Sequence, residues 1–138
     1  MAKRIVNDKE RVGEWVASRL GCAWGAYEAI GIEEDGELVG GVVVDNYVPN
    51  ARCAMHVAGS NKRWLTRQFL WFVFHYAFVQ LNCNVVIALV DADNADALKF
   101  DRHLGFEDTC RIEGGAGDCD LIVLTMPRRK CRWLGIRK

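Results

Sequence analysis

A chain of 138 residues, 51% hydrophobic and 26% charged, is sized for one domain with a sizeable core, and a single domain over residues 1–138 is expected. No run of about 18 apolar residues is free of charge, and the start, MAKRIVNDKER, has a basic end but no apolar stretch or small-residue cleavage site. This argues against a membrane partner or export and for a soluble cytoplasmic protein. Equal counts of 18 basic and 18 acidic residues hide an asymmetry: every acidic residue precedes position 121, and the last 18 residues hold six basic ones. The basic tail 127–138 either meets an anionic partner or folds back on the acidic body, and Trp133, Leu134 and Ile136 favour the second. The six cysteines have no C-x-x-C spacing and sit mostly in apolar runs, as reduced small hydrophobes rather than zinc ligands or a disulfide framework.

In chain order, a short strand at Ile5-Val6 precedes residues 8–20, where Val12, Trp15, Val16 and Leu20 recur at the spacing of an amphipathic helix. Tyr27–Ile32 and Leu38–Tyr47 are rich in apolar and β-branched residues, and Asp35-Gly36 between them marks a hairpin, because glycine takes the positive φ such a turn requires. Pro49-Asn50 turns the chain into a third strand, Arg52–Ala58. Residues 62–81 are apolar nearly all round and predict a long buried helix. Val85–Val90 is a continuous apolar run of the kind found in buried parallel strands. Strand, helix and strand in this order imply a right-handed crossover. Asp93-Asn94 caps a second helix that ends at Gly105, and Phe106–Glu113 and Cys119–Met126 are two more strands around Gly114-Gly115-Ala116-Gly117. The fold class is therefore α/β, an α+β mixed sheet with antiparallel strands first and a central βαβ crossover.

Gly59-Ser60-Asn61-Lys62-Arg63 lies where a strand hands over to a helix, whose first unpaired N–H groups attract phosphate. Lys62 and Arg63 oppose the helix dipole there, and a bound anion reverses that sign.

The segment Asn94-Ala95-Asp96-Ala97-Leu98-Lys99-Phe100-Asp101-Arg102-His103-Leu104-Gly105-Phe106 resembles the N-x-x-A…L-G-F segment of the GNAT superfamily of acyl-CoA N-acyltransferases. The resemblance is close from Arg52 to Phe106 and elsewhere rests on element order. The ending Met126-Pro127-Arg128-Arg129-Lys130-Cys131-Arg132-Trp133-Leu134, with His56-Val57-Ala58-Gly59 and Arg63-Trp64-Leu65-Thr66, looks like phage and prophage members. The resemblance implies a GNAT-like fold in which acyl-CoA is wedged between splayed parallel strands. Its pantetheine would run beside Val57 and Ala58. Its pyrophosphate would sit on the loop Gly59, Ser60, Asn61, Lys62, Arg63, Trp64, Leu65 and Thr66, with Arg67, Asn94 and Phe100 completing the cofactor site. A backbone N–H near Val57 would polarise the thioester carbonyl. Two positions depart from the family. Asn61–Thr66 lacks both glycines of the usual Q/R-x-x-G-x-G/A loop, which shifts weight to Lys62, Arg63 and Arg67. Asp101 stands where many members carry a proton-donating tyrosine, and a carboxylate donates poorly at neutral pH unless its pKa is raised.

Amine acylation needs a deprotonated amine, and a positioned base contributes roughly 100 to 10,000-fold. The candidates on the antiparallel strands are His56, Asp45, Tyr47 and Glu28. His56 has a suitable intrinsic range, although a lone histidine near the end of an apolar strand is more often a hydrogen-bonded core residue. Asp45-Asn46-Tyr47 is equally consistent with turn chemistry. No metal is implied. The leading expectation is an N-acyltransferase using acetyl-CoA on an amine-bearing small molecule or protein by direct attack in a ternary complex. Two alternatives are a catalytically degenerate GNAT-fold binding module and a Mom-like phage DNA-modifying protein. The net −6 body disfavours nucleic acid as a partner, since phosphate contacts need positive charge. A homodimer is allowed.

Overall fold

The computed structural model describes residues 3–21, 24–60 and 64–135. Cys22, Asn61, Lys62, Arg63 and Ile136, all given roles by the sequence, lie outside the described residues. One mixed sheet of seven strands organises the chain: β1 (Lys3–Val6), β2 (Tyr27–Glu34), β3 (Glu37–Val48), β4 (Arg52–Gly59), β5 (Val85–Asp91), β6 (Glu107–Ile112) and β7 (Leu121–Pro127). Their spatial order is β1-β2-β3-β4-β5-β7-β6, antiparallel throughout except for the β4/β5 pair. The β2–β3 hairpin closes through Asp35 and Gly36, both at positive φ (54° and 86°), as a two-residue turn matched to the strand twist requires.

Strand alternation divides the core. On one face α1 (Lys9–Leu20), capped by the Asp8 side chain and ended by Gly21, packs Val12 and Val16 on Ala29, Val43 and Ala58. On the other face α2 (Arg67–His75) and α3 (Ala95–Leu104) bury Phe69, Phe74, Leu98 and Leu104 against Ile30, Val42, Val44 and Met55. This larger cluster holds most of the aromatic volume. The all-round burial that the apolar composition of the long helix predicts holds for one face only: Phe69, Phe74 and Phe78 are core, whereas Phe72 (37%) and Val79 (51%) are exposed.

The helix expected over 62–81 differs at both ends. It starts at Arg67, because the Thr66 hydroxyl accepts the Phe69 N–H (3.1 Å) and caps it there. Trp64 and Leu65, which extend the apolar pattern upstream, belong to the loop. After His75 the backbone widens into a π-helical turn, Tyr76–Gln80, with the Leu81 N–H donating to the Tyr76 carbonyl (2.8 Å). Such turns insert one residue and re-aim side chains. Here Ala77 and Phe78 stay in the core, and Tyr76 and Leu81 border a cleft. In α3 the cap is Asn94 rather than the Asp93-Asn94 pair, its Oδ1 accepting the Ala97 N–H (3.1 Å).

The described part of the tail, up to Gly135, lies against the body. Arg128 donates to the Phe78 carbonyl and to Asn82, Lys130 Nζ meets Glu107 (2.8 Å), and Arg132 donates to the His103 carbonyl. Trp133 buries its ring and donates its indole N–H to the Leu104 carbonyl (2.7 Å). No helix among the described residues is long and apolar enough to cross a membrane.

Candidate active site

The parallel pair β4/β5 stays in register for only three positions, Arg52↔Val85, Cys53↔Val86 and Ala54↔Ile87. Beyond Ala54 the strands part. The Ser60 N–H donates to the Val39 carbonyl (2.9 Å), in the same register that pairs Gly59 with Gly40. Since hydrogen-bonding direction alternates along a strand, Ala54, His56 and Ala58 face their amides to β3. Cys53, Met55, Val57 and Gly59 face theirs toward β5, and the last three do so where pairing has stopped. The gap therefore presents Val57 and Gly59 N–H donors over an apolar floor of Met55, Leu70 and Leu104, with a cavity of about 10 Å³ among them.

One end of this gap is closed by an aromatic wall. The Trp64 indole is 4% exposed and lies on Gly40 and Gly59, where an added Cβ would come within 2.2 and 1.9 Å of the ring. Only glycine permits so close an approach. Phe69 meets the indole edge-on at 5.7 Å and Phe100 lies 6.2 Å away. Of the loop residues expected to hold a cofactor, Leu65 lines the cavity, Thr66 caps α2, and Arg67 is exposed on its first turn. The Ser60 hydroxyl donates to the Val39 carbonyl (3.2 Å). The helix end that can attract an anion thus sits at Thr66–Gln68, several residues later than the sequence predicts. The Asn94 side chain is committed to its cap.

On α3, Asp101 is buried one turn before Leu104, and its burial pushes its carboxyl up to about 6. The departure noted in the sequence therefore comes with the raised pKa that proton donation by a carboxylate needs. Nearer the start of β4, the structure brings two predicted catalytic residues together: His56 Nε2 is 2.8 Å from Asp45 Oδ1, both largely buried, and Trp24 packs on the imidazole at 4.8 Å. A carboxylate only accepts, so Asp45 holds the His56 proton on Nε2 and leaves Nδ1 as the basic nitrogen. Tyr47, the third, is not in this pair. It donates its hydroxyl to the Leu81 carbonyl (3.1 Å) and is 43% exposed.

Asp45 and Tyr47 do share a second feature, a cleft of about 630 Å³ also bordered by Lys9, Tyr27, Glu28 and Tyr76. Lys9 Nζ reaches Glu28 Oε2 (3.8 Å) and lies 5.0 Å above the Tyr27 ring. Burial, then the Glu28 charge, raise the Tyr76 hydroxyl pKa. Sequence reasoning missed Lys9, Tyr27, Tyr76 and Trp24. Tyr27 sits at a strand start and Trp24 just before it, but nothing in the sequence ties Lys9 or Tyr76 to them.

No protein-family model and no curated protein matches the chain. Solved structures do. A spermidine N-acetyltransferase SpeG mutant from Vibrio cholerae superposes with a TM-score of 0.77 at 12% identity, covering 96% of both chains. The yncA acetyltransferase of Salmonella typhimurium, solved with acetyl-CoA, gives 0.67 at 15% identity over 92% of this chain and 94% of its own. The Campylobacter jejuni N-acetyltransferase PseH gives 0.63 at 14% identity over 93% and 99%. At these identities the likeness is one of fold: the chain has the mixed α/β fold of the GNAT N-acetyltransferases.

Proposed function

We propose that the chain is an acyl-CoA-dependent N-acyltransferase that moves an acetyl group from acetyl-CoA to an amine by direct attack in a ternary complex. The observation that carries this reading is the parting of β4 from β5 after Ala54, with the Val57 and Gly59 N–H groups turned into an apolar gap. Donors over an apolar floor match the chemistry of a pantetheine arm, which carries amides along an alkyl chain, and the gap of about 10 Å³ must widen to admit it. The α2 end at Thr66–Gln68, with Arg67, suits the phosphates.

When bound, acetyl-CoA supplies the activated acyl carbon, to which the amine nitrogen forms a C–N bond as the C–S bond breaks. The Val57 N–H would polarise the acyl oxygen. His56 Nδ1, with Asp45 holding Nε2–H, takes the proton from the attacking amine. Asp101 stands at the family's tyrosine position and burial raises its carboxyl to about 6, so it is the group to test as proton source for the departing thiolate. The cleft bordered by Tyr47 and Glu28 receives the acceptor. A phage or prophage origin, drawn from the Met126–Leu134 ending, and action in a bacterial host cytoplasm belong to the same reading.

Calorimetric titration with acetyl-CoA tests it, together with thiol release across an amine panel. Saturable binding that Arg67→Glu weakens, with amine-dependent thiol release, is expected; no binding at millimolar acetyl-CoA overturns it. A second reading, a GNAT-fold binding module without turnover, is motivated by the missing glycines of the 61–66 loop and by Asp101 in place of the tyrosine. It is removed by thiol release that a defined amine stimulates. The DNA reading is weakened, since three of the tail's six basic residues, Arg128, Lys130 and Arg132, are engaged with the chain's own body.

A further inference from the structure

The cleft beside Asp45 is lined by a particular chemistry. Two carboxylates, Glu28 and Asp45, face it with the rings of Tyr27, Tyr47 and Tyr76, and Lys9 is the one cation among its described lining residues. A volume of about 630 Å³ is ample for a small linear ligand. Carboxylates and tyrosine faces together recognise ammonium groups, by charge and by the ring quadrupole. An anionic ligand would face two like charges and find only Lys9.

Lys9 itself shows the recognition at work. Its ammonium sits 3.8 Å from the Glu28 carboxylate and 5.0 Å above the Tyr27 ring, on the end of a flexible alkyl chain. Side chains of Lys9 and Glu28 are 46% and 58% exposed, so the pair is water-screened and weakly held. An incoming ammonium can therefore replace it at little cost.

We propose that the acceptor is an aliphatic amine carrying a second positive charge, and that this second charge takes the seat between Glu28 and Tyr27 that Lys9 occupies. The reacting amine then lies further into the cleft, toward Asp45. The role of that reacting amine rests on the acyl-transfer reading; the seat does not. Val44 and Leu81 supply apolar wall for the carbon chain between the two nitrogens.

Equilibrium titration of the full chain without acetyl-CoA, using 1,4-diaminobutane and 1-aminobutane, tests the seat directly. The diamine is expected to bind about tenfold more tightly than the monoamine. Glu28→Gln should remove that advantage, and Lys9→Ala should enlarge it by freeing the seat. Equal affinities, an advantage that survives Glu28→Gln, or no binding of either amine at millimolar concentration overturns the seat. An unaltered advantage in Lys9→Ala overturns the claim that Lys9 occupies it. Adding acetyl-CoA separates the two readings. Glu28-dependent diamine binding without thiol release keeps the seat and removes acyl transfer. Thiol release with equal kcat/KM for both amines keeps acyl transfer and removes the seat.

Discussion

The two ends of β4 are built on opposite principles. Where the strand ends, Trp64 lies on Gly40 and Gly59 so tightly that neither position accepts a Cβ, and Phe69 and Phe100 hold the indole from the sides. Where it begins, the neighbouring cleft is roomy, polar and ringed by half-exposed tyrosines and carboxylates. The first end has its geometry fixed by packing, as suits backbone donors that must hold still. The second has charges and rotatable side chains, as suits a ligand whose identity is set by recognition. The His56–Asp45 pair sits between them, fixed by Trp24 but still partly accessible.

The largest effect expected from breaking this arrangement is at the junction. His56→Gln should lower kcat by roughly 100 to 10,000-fold at saturating acetyl-CoA, with acetyl-CoA affinity unchanged, because glutamine fills the space without basicity. Steady-state kinetics with isothermal titration separates the two quantities, and an unaffected kcat removes His56 from the mechanism. Asp101→Asn on α3 comes next. The carboxyl ionises near 3.8 when unfolded and about 6 when folded, so its favourable neutral state is fully present below 3.8 and lost as pH rises through 6. The shift corresponds to about 3 kcal/mol at pH 7. Asparagine should therefore stabilise the fold near neutrality, with the gain vanishing toward pH 4 in denaturant melts. Gly59→Ala should cost about 1 to 3 kcal/mol by the same measurement, with a change in tryptophan fluorescence, since the new methyl must displace the indole.

The sequence made the elements far more legible than either end of β4. Asp35-Gly36, the apolar strand Val85–Val90 and the Asn94…Gly105 boundaries are local signals, and each element stands where those signals put it. The start of α2 was misread because Trp64-Leu65 continues an apolar pattern that periodicity cannot distinguish from helix. The competing signal, Thr66 as a cap, is a single residue. That Trp64 belongs on Gly40 and Gly59 depends on a loop crossing the sheet, and no spacing encodes it. The pairing of His56 with Asp45 was within reach, since both were candidates and their strands were expected to be adjacent. The cleft was not: Lys9, Tyr27 and Tyr76 come from a helix, a strand start and a π-helical turn, and they meet only through the topology.

The smallest expected effect tests whether the roomy end is as tolerant as its construction implies. Tyr47 is 43% exposed and its hydroxyl makes one hydrogen bond, to the Leu81 carbonyl at the end of the π-helical turn. Removing that hydroxyl in Tyr47→Phe forfeits about 1 kcal/mol at most, because the carbonyl lies where water can replace the donor. The ring stays, so an ammonium ligand keeps its aromatic wall. Denaturant melts should therefore show a small loss and amine titration almost none. A loss of several kcal/mol would mean that the Leu81 contact pins the π-helical turn. The roomy end would then be held as rigidly as the end under Trp64, and the contrast between the two ends of β4 would fail.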